Sequence, residues 1–344
     1  MDFEQENNDI PQPTPQPSQP YYPAYDKPPK RSGWRVFWRI FTGMSVLANI
    51  LLLLMVIALA ALFAVGQKGL FAEEVIHKGP RTNKIAVINI QGLIDGQQSE
   101  DVRTQLGIAE KDKNVKGLII RINSPGGTVS ASDQIYNEIR KYKAQANKPV
   151  IAFMQGVAAS GGYYVSVACE KIIAEPTVIT GSIGVMMDHF VFQDLLEEKL
   201  GIKPVIIKSG EKKDWPSYFE PTTQQQKEYI QNKLIIPAYE RFVQLVDDGR
   251  ETLVLADVRR LSDGSIYSAP EALEEKLIDQ IGYFDNAVEL LKSMANIEEA
   301  HVVEYKRPFS LAGLLSAKSE SIPRIDRKTI YELTTPQVLY LWRI

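Results

Sequence analysis

Hydrophobic positions fall into three regimes along the chain. Residues 1–32 hold few of them, and Pro11, Pro13, Pro15 and Pro17 alternate with polar residues. Such a segment buries too little apolar surface to offset its ordering entropy, so a disordered, partly polyproline tail is expected. Met44 to Val65 is the opposite, almost wholly apolar, with Leu51 to Leu54 at its heart and Asn49 its only strongly polar side chain. A run of about twenty such residues matches a bilayer span. Before it stand Lys27, Lys30, Arg31, Trp34, Arg35, Phe37, Trp38 and Arg39; after it come only Lys68, then Glu73 and Glu74. Cations and tryptophans on the leading side predict an uncleaved anchor over 33–68, with the N-terminus cytoplasmic and the bulk of the chain outside.

From Lys84 onward, short apolar runs alternate with helical periodicity. Strands are predicted at Lys84–Ile90, Val115–Ile122, Pro149–Met154, Lys171–Ala174, Val178–Ile179 and Lys203–Lys208. Helices are predicted at Val102–Asp112, Ser130–Ala144, Tyr163–Ala168, Val191–Leu200 and about Thr223–Asp248, with Gly201 as a stop signal. Asn123–Gly127 reads as the break that ends its strand. Strands alternating with helices mean an α/β fold with a mainly parallel sheet and right-handed crossovers. Ile297–Tyr305 reads as a last strand. Phe309–Leu315 is apolar enough to meet a partner or the membrane. Thr335–Trp342, extended and apolar, is expected to pack on its own domain, with a neighbour's groove as the alternative.

Composition narrows the chemistry. A net charge of −3 gives no sign of a nucleic-acid partner. The single cysteine, Cys169, excludes an intramolecular disulfide and sits in an apolar run, as a small core residue does. His77, His189 and His301 have no second histidine or cysteine at ligand spacing, so no metal site is expected.

Three loops stand at strand ends, where open α/β sheets place their sites. Ser124-Pro125-Gly126-Gly127 brings backbone N–H groups that can approach an oxyanion closely. Gly156 to Tyr164 sets Ser160 among small residues between a strand and a helix, the setting of an exposed nucleophile or of a plain capping serine. Gly210 to Asp214 carries Lys212 and Lys213. A serine hydroxyl needs a base. Either His189 or a lysine whose ammonium is desolvated supplies one, the latter being a known variant of the triad logic.

Asn123–Gly127, Ala159–Tyr164, Thr180–Val185 and Lys208–Asp214, in this order and spacing, resemble the signal peptide peptidase A family. That family comprises bacterial membrane-anchored Ser-Lys proteases on the Clp protease/crotonase-like fold, a repeated ββα superhelix. The likeness runs from about Lys84 to Leu291 and includes Ser262–Ser268 and Lys276–Gly282, although the family's Gly-Arg-rich form is missing around Ser265 to Pro270. The length matches the short, single-repeat form. The resemblance implies a protease domain over 84–295 and a C-terminal extension over 296–344. It makes Ser160 the nucleophile, Lys213 the general base in a Gly-x-x-Lys register counted from Gly210, and Ser182 the lysine's partner. Gly161, with Gly126 or Gly127, would supply the oxyanion N–H groups. It further implies no cofactor, cleaved signal peptides and other apolar extended peptides as substrates at the outer face of the cell membrane, and a homo-oligomer, an octamer in expectation, with sites shared between protomers. Two rivals remain: a crotonase-like acyl-CoA enzyme, and a non-catalytic membrane scaffold.

Overall fold

The computed structural model describes residues 21, 33–67, 71–307 and 338–342. The expected tail over 1–32, all but Tyr21, and the apolar stretch 309–315 lie outside the described residues. The chain divides into two units, Met1–Leu62 and Phe63–Ile344.

The first unit holds most of helix α1 (Gly33–Gln67). Gly33–Ala61 is long and apolar enough to cross a membrane. Its leading turns carry a ladder of rings: Trp34 stacks on Phe37, Phe37 on Phe41, and Trp38 lies edge-on to Phe41. Asn49 donates to the Ser45 carbonyl at 2.7 Å, which satisfies its amide within the helix.

The second unit is built on one mixed sheet. Its spine runs β1 (Ala72–His77), β10 (His301–Lys306), β2 (Lys84–Ile94), β3 (Val115–Thr128), β4 (Val150–Ala159), β5 (Lys171–Ala174) and β9 (Gln280–Ile281). From β10 to β9 every pairing is parallel; only β1 at the edge is antiparallel. Side chains alternate between two buried faces, as the two-residue strand period requires. Ile88, Ile120 and Ala152 point to one face, packed with α2 (Gly96–Lys111), α3 (Val129–Ala146), α4 (Gly161–Ser166) and α6 (Ile236–Gly249). Val87, Ile119, Ile151 and Phe153 point to the other, covered by Ala287, Val288 and Leu291 of α9 (Phe284–Met294). Burial on both faces explains the continuous apolar runs of these strands.

Most predicted elements form close to their expected places. α2 starts six residues before Val102, at Gly96, capped by Asp95, whose carboxylate accepts from the Gln98 N–H at 2.8 Å. The long helix forms as α5 (Gln224–Ile230), a wider turn at Gln231–Ile235, and α6. Three expectations fail. Asn123–Gly127 does not end its strand: β3 continues through it to Thr128. The helix expected over Val191–Leu200 reduces to one turn at Leu195–Lys199, and Lys203–Lys208 forms no strand. Phe190, Leu195, Leu200, Val205 and Ile207 are exposed; among the described residues this apolar arm is tied down chiefly at Phe192, whose N–H donates to the Tyr218 carbonyl at 2.7 Å and whose ring stacks on Tyr218, which is too little buried surface to hold a full helix or strand.

Candidate active site

The site grows from the point where two parallel strands part. β4 pairs with β3 until Ala158 lies beside Ser124. β4 then turns into α4 through Ser160; on its opposite edge, where β5 pairs earlier, its last residues pair with β6 (Ile179–Gly181). This departure leaves the end of β3, Gly126 to Thr128, with an open edge on the side away from β2.

Ser160 occupies the corner with φ 53° and ψ −112°, a region that serine rarely adopts. The conformation is held from both sides: the Ser160 N–H donates to the Gly181 carbonyl at 2.8 Å, and its carbonyl accepts from Tyr164 N–H at 2.8 Å. A strained residue persists only where its surroundings over-determine it, and such residues cluster at active sites. Ser160 is buried at the corner, and it makes no side-chain capping bond, so its hydroxyl is not spent on the helix N-terminus.

Next to Ser160, α4 begins with the small residues Gly161 and Gly162, which let the β3 loop come close. A Cβ on Gly161 would stand 3.1 Å from the Gly127 nitrogen. Gly126 has φ 105°, and its N–H is already used, donating to the buried Ser124 hydroxyl at 3.0 Å. Ser182 adjoins the corner through Gly181 and is itself left-handed at φ 50°, held by its N–H to the Ser265 carbonyl at 2.7 Å. Ser160, Gly161, Gly126, Gly127 and Ser182 are thus gathered at one place.

The lysine loop is not joined to them within one chain. Lys213 lies exposed on a single turn, Glu211–Asp214, and its ammonium makes no hydrogen bond or ion pair among the described residues. Lys212 is engaged, with its ammonium 4.8 Å from the Tyr229 ring centre and 5.5 Å from that of Trp215. Lys208 pairs with Asp214 at 2.7 Å. The histidines lie elsewhere: His189 holds the Ser217 carbonyl at 2.8 Å, His77 faces Asp285 at 3.5 Å, and His301 accepts from Gly79 N–H. Burial pushes the Cys169 thiol up to about 12, so it is a core group and no nucleophile.

One participant was legible in the sequence only as an extended apolar segment, with no place assigned to it. The C-terminal strand β11 (Val338–Leu341) lies in the open edge, antiparallel to Gly126–Thr128 on one side and to β7 (Met186–Met187) on the other. This bears out packing on its own domain. The point where a Cβ on Gly126 would sit is 1.9 Å from the Tyr340 carbonyl oxygen and 2.7 Å from the Gly161 nitrogen. Tyr340 is fully buried, its ring stacked on Tyr164 at 4.7 Å and tilted against Phe242 at 4.9 Å. A peptide strand is therefore clamped between two strands, with the Tyr340 carbonyl oxygen and the Gly161 nitrogen both lying against the bare face of Gly126. Tyr164 and Phe242 drew no functional reading from the sequence because a ring on an apolar helix face looks like core.

Comparison with known proteins gives the family and the fold. The family model for peptidase family S49 matches residues 142–298, and that for Clp protease matches residues 73–177, giving a Clp protease-like α/β fold. The Enterococcus faecium protein named "Putative signal peptide peptidase SppA" is 36% identical over 245 residues, 68% of this chain and 70% of that one. The Arabidopsis thaliana protein named "Serine protease SPPA, chloroplastic" is 33% identical over 254 residues, 73% of this chain and 36% of that longer one. "Protease 4" of Haemophilus influenzae is 34% identical over 229 residues, 64% of this chain and 36% of its own. The chain belongs to peptidase family S49, the signal peptide peptidase A family, and is a serine-type peptidase.

Proposed function

We propose that the chain is a membrane-anchored endopeptidase in which Ser160 attacks the peptide carbonyl and Lys213 is the general base. The observation that carries this reading is the extended peptide, β11, seated along Gly126–Thr128 with its Tyr340 carbonyl oxygen and the Gly161 nitrogen both against the bare face of Gly126. Ser160 Oγ bonds to the carbonyl carbon of a peptide bound in this way while its proton passes to the Lys213 nitrogen. The oxyanion is met by the N–H groups of Gly161 and Gly127, because the Gly126 N–H is held by Ser124. The C–N bond then breaks, and the lysinium proton goes to the leaving amine. Water adds to the acyl-enzyme with its proton taken by Lys213, and collapse returns a proton to Ser160 Oγ. Ser182, in its left-handed seat beside the corner, is placed to hydrogen-bond the lysine amine. No step calls for a cofactor.

Lys213 reaches Ser160 from a second copy of the chain in this reading. Among the described residues its ammonium has no hydrogen-bond or ion-pair partner, whereas Lys212 lies against Trp215 and Tyr229. The exposed apolar arm over residues 190–207, on the approach to the lysine loop, is the surface a neighbour would cover. The result is a homo-oligomer, an octamer by family likeness, with sites completed between protomers. The strand-binding groove selects unfolded, apolar segments, and remnant signal peptides fit that class. The α1 helix anchors the chain in the cell membrane, N-terminus cytoplasmic and protease unit outside.

The test is cleavage of an unfolded protein and a fluorogenic peptide by the full chain in detergent. Ser160→Ala and Lys213→Ala abolish cleavage, while Lys212→Ala and His189→Ala retain it. Cleavage that survives Ser160→Ala refutes the mechanism, and a lethal Lys212→Ala moves the base by one position.

A further inference from the structure

Two adjacent lysines leave one turn by different sides. Glu211–Asp214 is a single 3-10 turn. With three residues per revolution, neighbouring side chains diverge by roughly 120°, while those three apart overlie one another. Lys212 and Trp215 are three apart, and the Lys212 ammonium lies 5.5 Å from the Trp215 ring centre. It lies closer still to the Tyr229 ring, at 4.8 Å, and the two rings meet edge to face at 5.6 Å. The ammonium therefore sits in a corner with two aromatic walls, each offering the electron-rich face that attracts a cation. Lys213, one step round the turn, makes no hydrogen bond or ion pair with its ammonium among the described residues.

The nearer wall stands on fixed ground. Tyr229 belongs to α5, whose start is closed by a capping box: the Thr223 hydroxyl accepts from the Gln226 N–H at 3.2 Å, and the Gln226 side chain accepts from the Thr223 N–H at 2.9 Å. Gln226, one turn before Tyr229, is buried. The far end of the lysine turn is held separately, where both Asp214 carboxylate oxygens accept from the Lys208 ammonium at 2.7 and 3.0 Å. Inside the turn the Lys213 N–H donates to the Gly210 carbonyl at 3.1 Å, and the Trp215 N–H reaches the Lys212 carbonyl at 3.4 Å. The Lys213 backbone is thus fastened on both sides, by ring contacts at Lys212 and by an ion pair at Asp214, and its side chain alone is left to reach outward.

We propose that Lys212 positions Lys213: seated between Trp215 and Tyr229, it ties the turn to α5, so that Lys213 is the lysine delivered to Ser160 of a second copy. The proposal rests on the reading of Lys213 as the general base, and the clamp itself can be read without catalysis. Lys212 touches no reacting atom and acts only through the turn. An exposed ammonium on two rings favours the seated turn over an open one by about five-fold. The catalytic effect is therefore a reduction and not a loss, which separates Lys212 from the base itself.

The test measures kcat and KM on a fluorogenic peptide for the full chain in detergent carrying Lys212→Met, Tyr229→Leu or both. Beside them run Lys212→Arg and Tyr229→Phe, which keep a cation and a ring in place. Lys212→Met and Tyr229→Leu each lower kcat about two- to five-fold with KM and Tm unchanged, and the double variant is no slower than either, because both break one contact. Lys212→Arg and Tyr229→Phe restore kcat. A merely structural role would lower Tm and add up in the double variant. A second arm follows hydrogen exchange of the Lys213 and Trp215 amides, which bond inside the turn, in chains that also carry Ser160→Ala. Exchange there accelerates about five-fold in Lys212→Met and in Tyr229→Leu. Unchanged exchange overturns the clamp. Faster exchange with unchanged kcat, while Lys213→Ala abolishes cleavage, overturns the positioning role and leaves the base in place. Faster exchange with full cleavage by Lys213→Ala removes the base, and the positioning role falls with it.

Discussion

Gly126→Ala separates the chemistry of the groove from its stability. The residue has φ 105°, where an alanine costs about 1–2 kcal/mol of backbone strain. The added methyl would stand 1.9 Å from the Tyr340 carbonyl oxygen, against a normal contact of about 3.4 Å. It would also press on Gly161 N at 2.7 Å, which is fixed by the Ser160 corner. A peptide carbonyl must then retreat from the oxyanion position by more than an ångström, a displacement that costs about a hundred-fold in rate. The paired assays are thermal unfolding of the purified chain and kcat/KM on a fluorogenic peptide. The expected outcome is a Tm lower by a few degrees with kcat/KM down about a hundred-fold, most of it in kcat. A folded Gly126→Ala chain that cleaves within about three-fold of wild type would refute the placement of the scissile carbonyl.

Other consequences are equally concrete. If serine and lysine come from different protomers, co-expressed Ser160→Ala and Lys213→Ala chains, each inactive alone, regain about one quarter of wild-type activity through random mixing; no recovery would place both groups in one chain. Asp279 joins β5 and β9, accepting from Ile172 N–H and paired with Arg250 at 2.8 Å and Lys171 at 3.2 Å. Its burial alone would raise the carboxyl, but these donors outweigh it and hold it below the usual range. Its stabilising share is therefore complete above about pH 4 and is lost as pH falls through the lowered value. Asp279→Asn should cost about 2–3 kcal/mol at neutral pH in urea unfolding and flatten the acid limb; an unchanged acid limb would contradict this role. Fractionated cells should hold the full chain in carbonate-washed membranes, and a chain starting at Phe71 should be released to the soluble fraction.

What the sequence made legible followed from local physics. The short apolar runs at Lys84, Val115 and Pro149 became buried strands because each must be covered on two faces. The small residues around Ser160 announced a tight corner, though not its positive φ, which depends on the Gly181 carbonyl twenty-one residues on. The pairing at Gly126 was hidden because its partner, Leu341, lies at the far end of the chain. A Pro-Gly-Gly run reads as a turn unless something is known to lie beside it. The Val191–Leu200 helix and Lys203–Lys208 strand were read from apolar pattern alone, and pattern needs a surface to bury against. Phe242 was invisible as a groove residue because the apolar face of α6 serves both the core and the seat of the Tyr340 ring.

The most direct test of the central claim is covalent. The full chain in detergent is treated with a peptidyl fluorophosphonate carrying tyrosine at its reactive end, and the modified residue is mapped by mass spectrometry. The account predicts a single adduct on Ser160, formed by wild type and by Lys212→Ala but lost in Lys213→Ala. An adduct on any other residue, or full labelling of Ser160 without Lys213, would contradict it.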